Sequence, residues 1–265
     1  MNGRRSGLGL AWVGHGTVRV DLDGVRLMTD PLLRDRVSYL RRLAPGVVLE
    51  EHAGVDATLV SHLHPDHLDL PSLRLLGRET LLVVPRGGGR LLARSGFRRV
   101  VEVEAGEEVR IGAVKVRATH AEHPGARVPL GTKAPALGYV VEGSRRLYFA
   151  GDTGLFRGMA AVGRPRLDVA LVPVGGWGPL APLWEKLPFA VPGHLDPRRA
   201  AEALRLLRPL FAVPIHWGTY APRGLNRLMP ASLNEPPRAF SRHAARLAPS
   251  VQVRVLRPGE SLLPG

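Results

Sequence analysis

Between Leu59 and Leu70 the chain reads LVSHLHPDHLDL, placing three histidines and two aspartates within positions 62 to 69. No other stretch of the 265 residues restricts the fold as tightly. The run closes Asp56–His62, an apolar and β-branched segment that reads as a buried strand. Polar groups crowded at the end of a buried strand are costly unless something pairs them. His62 and His64 alternate, so both can face one way where the strand runs out. Pro65 then forces a turn that swings Asp66 and His67 to a neighbouring point. One short run can therefore feed two adjacent ligand positions.

Imidazole nitrogen and carboxylate oxygen are the usual non-thiolate ligands of Zn²⁺, and they also suit Mn²⁺ or Fe. The chain has no cysteine, which excludes disulfides and thiolate metal sites. A lone His-x-His is often only a polar surface turn, so the motif needs company. It has it: FAGDTG sets Asp152 in a glycine-flanked loop after the apolar LYFA, and AVPIHWGTY ends another apolar strand at His216. Three such strand ends favour a metal centre over a surface turn.

The remaining pattern reads as strands first and helices later. Leu8–Val13, Thr17–Leu22 and the segment from Val25 form hairpins, the second turning at Asp23-Gly24. Further strands are expected at Thr80–Pro85, Val100–Val103, Val114–Ala118, Leu137–Val141, Leu147–Ala150, Val169–Val174, Phe211–Ile215 and near Val251–Val255. Helices are expected from Pro71, after Gly87, over Pro237–Leu247 and, most clearly, in DPRRAAEALRLLRP. There Asp196 reads as N-cap, Pro197 as the first helical residue, and Pro209 lies past the end. This order fits an α+β arrangement of layered sheets covered by helices. Without a polar or Gly/Ser-rich divider or an internal repeat, one domain over residues 1–265 is expected.

These segments, taken together, resemble the metallo-β-lactamase superfamily. The resemblance rests on His-x-His-x-Asp-His, a later histidine, Gly-Asp-Thr-Gly and a final strand-end histidine. WVGHGTVRV, LMTDPLLRDRVS, SHLHPDHLDLPSL, YFAGDTG, HLDPRRA and IHWGTY, in order from Trp12 to Tyr220, resemble one branch of it. That branch contains the phospholipase D acting on N-acyl-phosphatidylethanolamine and ascorbate-6-phosphate lactonase-like proteins. The resemblance implies an αββα sandwich of two mixed sheets flanked by helices. It also implies two divalent ions, with zinc the first choice. His62, His64 and a later histidine would hold one; Asp66, His67 and His216 would hold the other; Asp152 would bridge them. ATHAEHPG offers His120 and His123 for the later histidine. The family pattern Pro-Ala-x-His aligns with Ala121-Glu122-His123 and selects His123, with His120 standing where proline is usual.

Such a centre implies hydrolysis by a metal-bridging hydroxide, with Asp66 orienting it and exchanging a proton. No Gly-x-Ser-x-Gly elbow offers a serine nucleophile. His194, just before the capped helix, is expected either to help cap it or to contact a substrate oxygen and protonate a leaving group. His15 is expected to be buried and to orient a ligand or a loop, and His52 and His243 to be solvated. Val172–His194, with Trp177 and Trp184, is expected to form a wall or lid, and Arg127 and Lys133 to meet an anionic group.

The expected substrate is a phosphodiester or a phosphorylated small molecule or lipid; the alternatives are a lactone or carbonyl ester, and less favoured, a nucleic acid. The formal charge of +14 supports an anionic small-molecule partner weakly, because the arginines are scattered rather than gathered with aromatics. Neither a signal peptide nor a run of about 20 apolar residues is present, so a cytoplasmic location is expected. Nothing in the sequence bears on oligomeric state.

Overall fold

The computed structural model describes residues 7–125, 131–175, 193–222 and 234–262. Two seven-stranded mixed sheets form its body. The first begins with an antiparallel meander, β1 (Leu8–Gly14), β2 (Thr17–Leu22) and β3 (Val25–Thr29). It continues in parallel through β6 (Ala57–Leu59), β7 (Leu81–Pro85) and β8 (Val100–Val103). β17 (Ser261–Leu262) pairs with the free edge of β1, Leu10 opposite Leu262.

The second sheet repeats this plan. β9 (Glu108–Ile111), β10 (Val114–His120), β11 (Leu137–Glu142) and β12 (Arg146–Phe149) run antiparallel in turn. β13 (Val169–Pro173), β14 (Phe211–Ile215) and β16 (Gln252–Val253) then extend β12 in parallel. A small third sheet joins β4 (Arg36–Val37) and β5 (Leu40–Arg42) to β15 (Tyr220–Pro222).

One apolar cluster fills the space between the large sheets. It takes Trp12, Val20, Leu27, Leu59 and Val83 from the first and Val116, Tyr139, Leu147, Phe149 and Leu171 from the second. Along β7 the side chains alternate as a pleat requires: Val83 joins this inner cluster, while Leu82 and Val84 join an outer one. The outer cluster packs under α1 (Leu70–Leu76) and α2 (Gly89–Arg94) through Leu73 and Leu92. A strand buried on both faces, as β7 is, reads as a continuous apolar run in sequence.

Helix α3 (Met159–Val162) is short, while α4 (Pro197–Leu207) and α5 (Glu235–Leu247) cover the second sheet. Helix α4 starts where expected, the Asp196 side chain accepting from the Arg199 amide at 2.8 Å. Its buried stripe of Ala200, Ala203, Leu204 and Leu207 has the spacing of one helical face. Truncating Leu204 to alanine would cost about 2–5 kcal/mol through lost burial and the cavity left behind. The arrangement is the αββα sandwich of the metallo-β-lactamase fold. Among the described residues, no helix is long and apolar enough to cross a membrane.

Candidate metal centre

The strand directions explain why distant residues meet. β1, β3 and β6 run the same way in the first sheet, and β10, β12 and β14 the same way in the second. His15, Asp30 and His62 follow the C-terminal ends of the first three; His123, Asp152 and His216 follow those of the others. Each sheet thus delivers its polar residues to one edge, where loops on a rigid scaffold collect functional groups. The edges are tied together by Tyr139, whose buried hydroxyl donates to the Val60 carbonyl at 2.7 Å.

The first ligand group is His62, His64 and His123, whose inward nitrogens lie within 4.8 Å of one another. His62 Nε2 is 2.9 Å, and His123 Nε2 3.2 Å, from His64 Nδ1. Their outward nitrogens are already engaged. Ser61 Oγ donates to Asp30, so it can only accept from His62 Nδ1 at 2.9 Å. The Gly193 carbonyl accepts from His123 Nδ1 at 2.8 Å. Both Nε2 atoms are therefore lone pairs facing inward, and one proton on His64 can serve only one of them. Burial, outweighing the Asp152 carboxylate, brings His123 down to about 4. It stays neutral and free to ligate at ordinary pH.

The second group is His15, Asp66, His67 and His216, again within 4.8 Å. Asp30 accepts from His67 Nδ1 at 2.7 Å and is itself held by the Ser61 amide and hydroxyl, each at 2.6 Å. This carboxylate–histidine relay turns His67 Nε2 inward, 3.2 Å from His216 Nε2. His15 Nε2 lies 3.0 Å from Asp66 Oδ2, the orienting contact expected of it. Burial lowers His216 to about 3 against the pull of Asp152. Burial also disfavours a charged His67, but Asp152, Asp66 and Asp30 together reverse that and hold it well above its ordinary value. Three carboxylates, Asp30, Asp66 and Asp152, thus surround one buried imidazole.

Asp152 lies between the groups. Its Oδ2 is 3.3 Å from His67 Nε2 and its Oδ1 3.4 Å from His216 Nε2. Oδ1 is buried without a hydrogen-bond partner, an orphaned acceptor aimed into the centre. Inward lone pairs, an orphaned carboxylate oxygen and oxygen/nitrogen donors only are what divalent zinc, manganese or iron accepts. The residues present fit such ions.

The backbone bends to make this possible. His15, Asp30 and His216 have positive φ values of 54°, 33° and 62°. Left-handed backbone costs non-glycine residues of order 1–3 kcal/mol each and gathers at functional sites. Gly151, before Asp152, has φ 60°, and a Cβ there would stand 2.6 Å from that of Ser61. Only glycine lets the two sheets approach this closely.

All seven residues proposed as ligands from the sequence are brought together. His123, not His120, enters the cluster; His120 is exposed and faces Glu122 at 3.3 Å. His194 Nδ1 is 3.8 Å from Asp152 Oδ2, and its ring centre lies 4.6 Å from that of His123. Asp30 and Ser61 were missed, although Asp30 ends the apolar strand VRLMT as the other site residues end theirs. The expectation of a solvated His52 is overturned: it is buried at the end of a 3₁₀ turn, Leu49–His52. Arg19 and Arg26 cross that turn, donating to the Glu51 and Ala53 carbonyls, and close it over the ring. Lys133 is exposed, whereas Arg127, Trp177 and Trp184 lie outside the described residues.

Comparison with known proteins agrees with this geometry. Residues 25–217 match the family model of the Beta-lactamase superfamily domain. A UPF0173 metal-dependent hydrolase of Caldivirga maquilingensis is 30% identical over 257 residues, 96% of each chain. An N-acyl-phosphatidylethanolamine-hydrolyzing phospholipase D of Caenorhabditis elegans is 34% identical over 240 residues, 81% of this chain and 65% of that protein. The structure of a metallo hydrolase from Ignicoccus hospitalis shares the fold, with a TM-score of 0.72 at 24% identity over 96% of this chain and 97% of that one. The chain belongs to the β-lactamase superfamily. It is a metal-dependent hydrolase of the metallo-β-lactamase type.

Proposed function

We propose that this chain is a dinuclear hydrolase, residues 1–265 acting as one unit, that cleaves a phosphodiester or related phosphorylated small molecule or lipid. His62, His64 and His123 would hold one divalent ion, Asp66, His67 and His216 the other, and Asp152 both. The carrying observation is that His62 and His123 each spend the outward nitrogen on a protein acceptor and turn a lone pair inward, while His67 gives Nδ1 to Asp30 and faces Nε2 into the centre. Two such ions supply an activated water near neutral pH and a Lewis acid for the substrate oxygen.

The chain's own groups would do the rest. Asp66 is part-exposed beside the centre and held by His15, so it can orient the attacking water and take its proton. His194 stands at the opening, 18% of its side chain exposed, where it can contact a substrate oxygen and return a proton to the leaving group. The phosphorylated substrate class draws its support from the phospholipase relative and from the chain's +14 charge.

Metal analysis of the purified protein tests the centre, with two ions per chain expected and fewer than two in His67→Ala. Activity on phosphodiester and lactone panels tests the substrate class. Hydrolysis that survives complete removal of metal would sink the mechanism; hydrolysis of lactones alone would overturn the substrate.

A further inference from the structure

The edge of the second sheet opposite the metal centre carries a different kind of site. β13, β14 and β16 run in parallel, and the centre lies past their C-terminal ends. Past their N-terminal ends a pocket of about 390 Å³ opens, lined by Arg164, Arg166, Arg208 and Ser250, with Ala160 and Leu206 as its apolar wall. Strands of five residues at ~3.3 Å per residue separate the two edges by about 16 Å. The pocket shares no residue with the metal centre.

Its charge is unbalanced. Among the described residues no carboxylate lines it and none of the three arginines makes an ion pair. The C-terminus of α4 beside Arg208 offers roughly half a negative charge against three positive ones. Capping the helix therefore accounts for one arginine at most.

The pocket is also built rather than accidental. Arg146 is buried beneath the loop and donates to the carbonyls of Val162, Arg164 and Pro165. Those carbonyls are turned inward and spent, so the loop shows its guanidinium groups outward. Gly163 lets that loop touch the end of α4, because any Cβ there would run into the Leu207 carbonyl. Arg208 is held in the left-handed region at φ 50°, a conformation that non-glycine residues adopt at a cost.

We propose that this pocket binds a small molecule carrying two phosphate groups. Guanidinium forks match phosphate oxygens bidentately, three of them suit more charge than one phosphate brings, and the Ser250 hydroxyl adds a donor. The volume is that of a small-molecule site. A nucleic-acid strand would instead need an extended groove with aromatic faces, and among the described residues no aromatic side chain lines this pocket.

Titration calorimetry on the metal-loaded protein, with fructose 1,6-bisphosphate as probe at low ionic strength, tests the site. Saturable one-to-one binding is expected, weakened at least tenfold in R166Q/R208Q and measurably in R164Q. Glutamine keeps the side-chain stem and a comparable backbone preference, so folding is preserved. R98Q/R242Q removes the same charge elsewhere and should stay within twofold of the parent. No saturable binding, equal losses in both double variants, or preferential binding of a 20-nucleotide single strand would each overturn the proposal. The readout is binding, so failure of the hydrolase reading leaves this test intact.

Discussion

The two ligand groups of the centre are built on different principles. The first, His62, His64 and His123, contains no carboxylate, and its rings lean on a serine hydroxyl and a backbone carbonyl. The second holds Asp66 within it and Asp30 behind it, and His67 is fully enclosed. One group is neutral and partly open; the other is charged and, Asp66 apart, buried. The difference teaches that the second position is where this chain concentrates negative charge, and so where, on the proposed two-ion reading, an ion would be held hardest. The open group is the better placed to give up a coordination position to substrate.

Breaking the link between the groups should have the largest effect. On the two-ion reading, Asp152→Ala would remove the carboxylate set between both groups, and several kcal/mol of transition-state stabilisation with it. A fall of at least ~10³-fold in kcat/KM is expected, with fewer than two metals per chain by elemental analysis. Asp30→Asn keeps the shape but weakens the relay to His67. It should cost about 10–100-fold in metal affinity or activity, and chelator titration should show the loss in one of two ions. Equal weakening of both ions would erase the distinction between the groups.

Ser61 touches both, bonding Asp30 and His62 at once. Ser61→Ala should therefore weaken both ions together, by about tenfold, the low end of that range. A carboxylate outside the centre calibrates these effects. Glu142 is raised by burial but drawn below 4.5 overall by Arg146 and Lys115. A depressed folded pKa stabilises fully above the unfolded value and is lost as pH falls through the folded one. Glu142→Gln should cost less than about 1 kcal/mol at pH 7, with the difference fading below pH ~4 in urea unfolding.

How much of this the sequence discloses depends on how local each cause is. The strands of both sheets announce themselves through apolar, β-branched runs, because burial on a pleated face selects those residues. Helix α4 does so through its cap and stripe. By contrast β4, β5 and β9, reading RV, LRR and EVRI, carry charges and exist because partner strands offer free edges. Of the strand expected near Val251–Val255, residues 252–253 alone pair, with Phe211 and Ala212 of β14. In the site, His62 to His67 are legible because spacing alone places them. Asp30 and Ser61 are not, because their value lies in a contact across 31 residues that only the fold creates.

The pairing of β1 with β17 has a consequence for the order of assembly. The strand synthesised first in this sheet keeps an unpaired edge until residues 261–262 emerge, long after His216 has appeared. All the proposed ligands can therefore converge, and metal can be captured, while that flank is still open to other strand edges. Metal captured at that stage would stabilise the converged ligands against the unfolded chain by mass action, leaving residues 261–262 to close the flank. Scarcity of metal during synthesis is thus a hazard to folding yield as well as to activity.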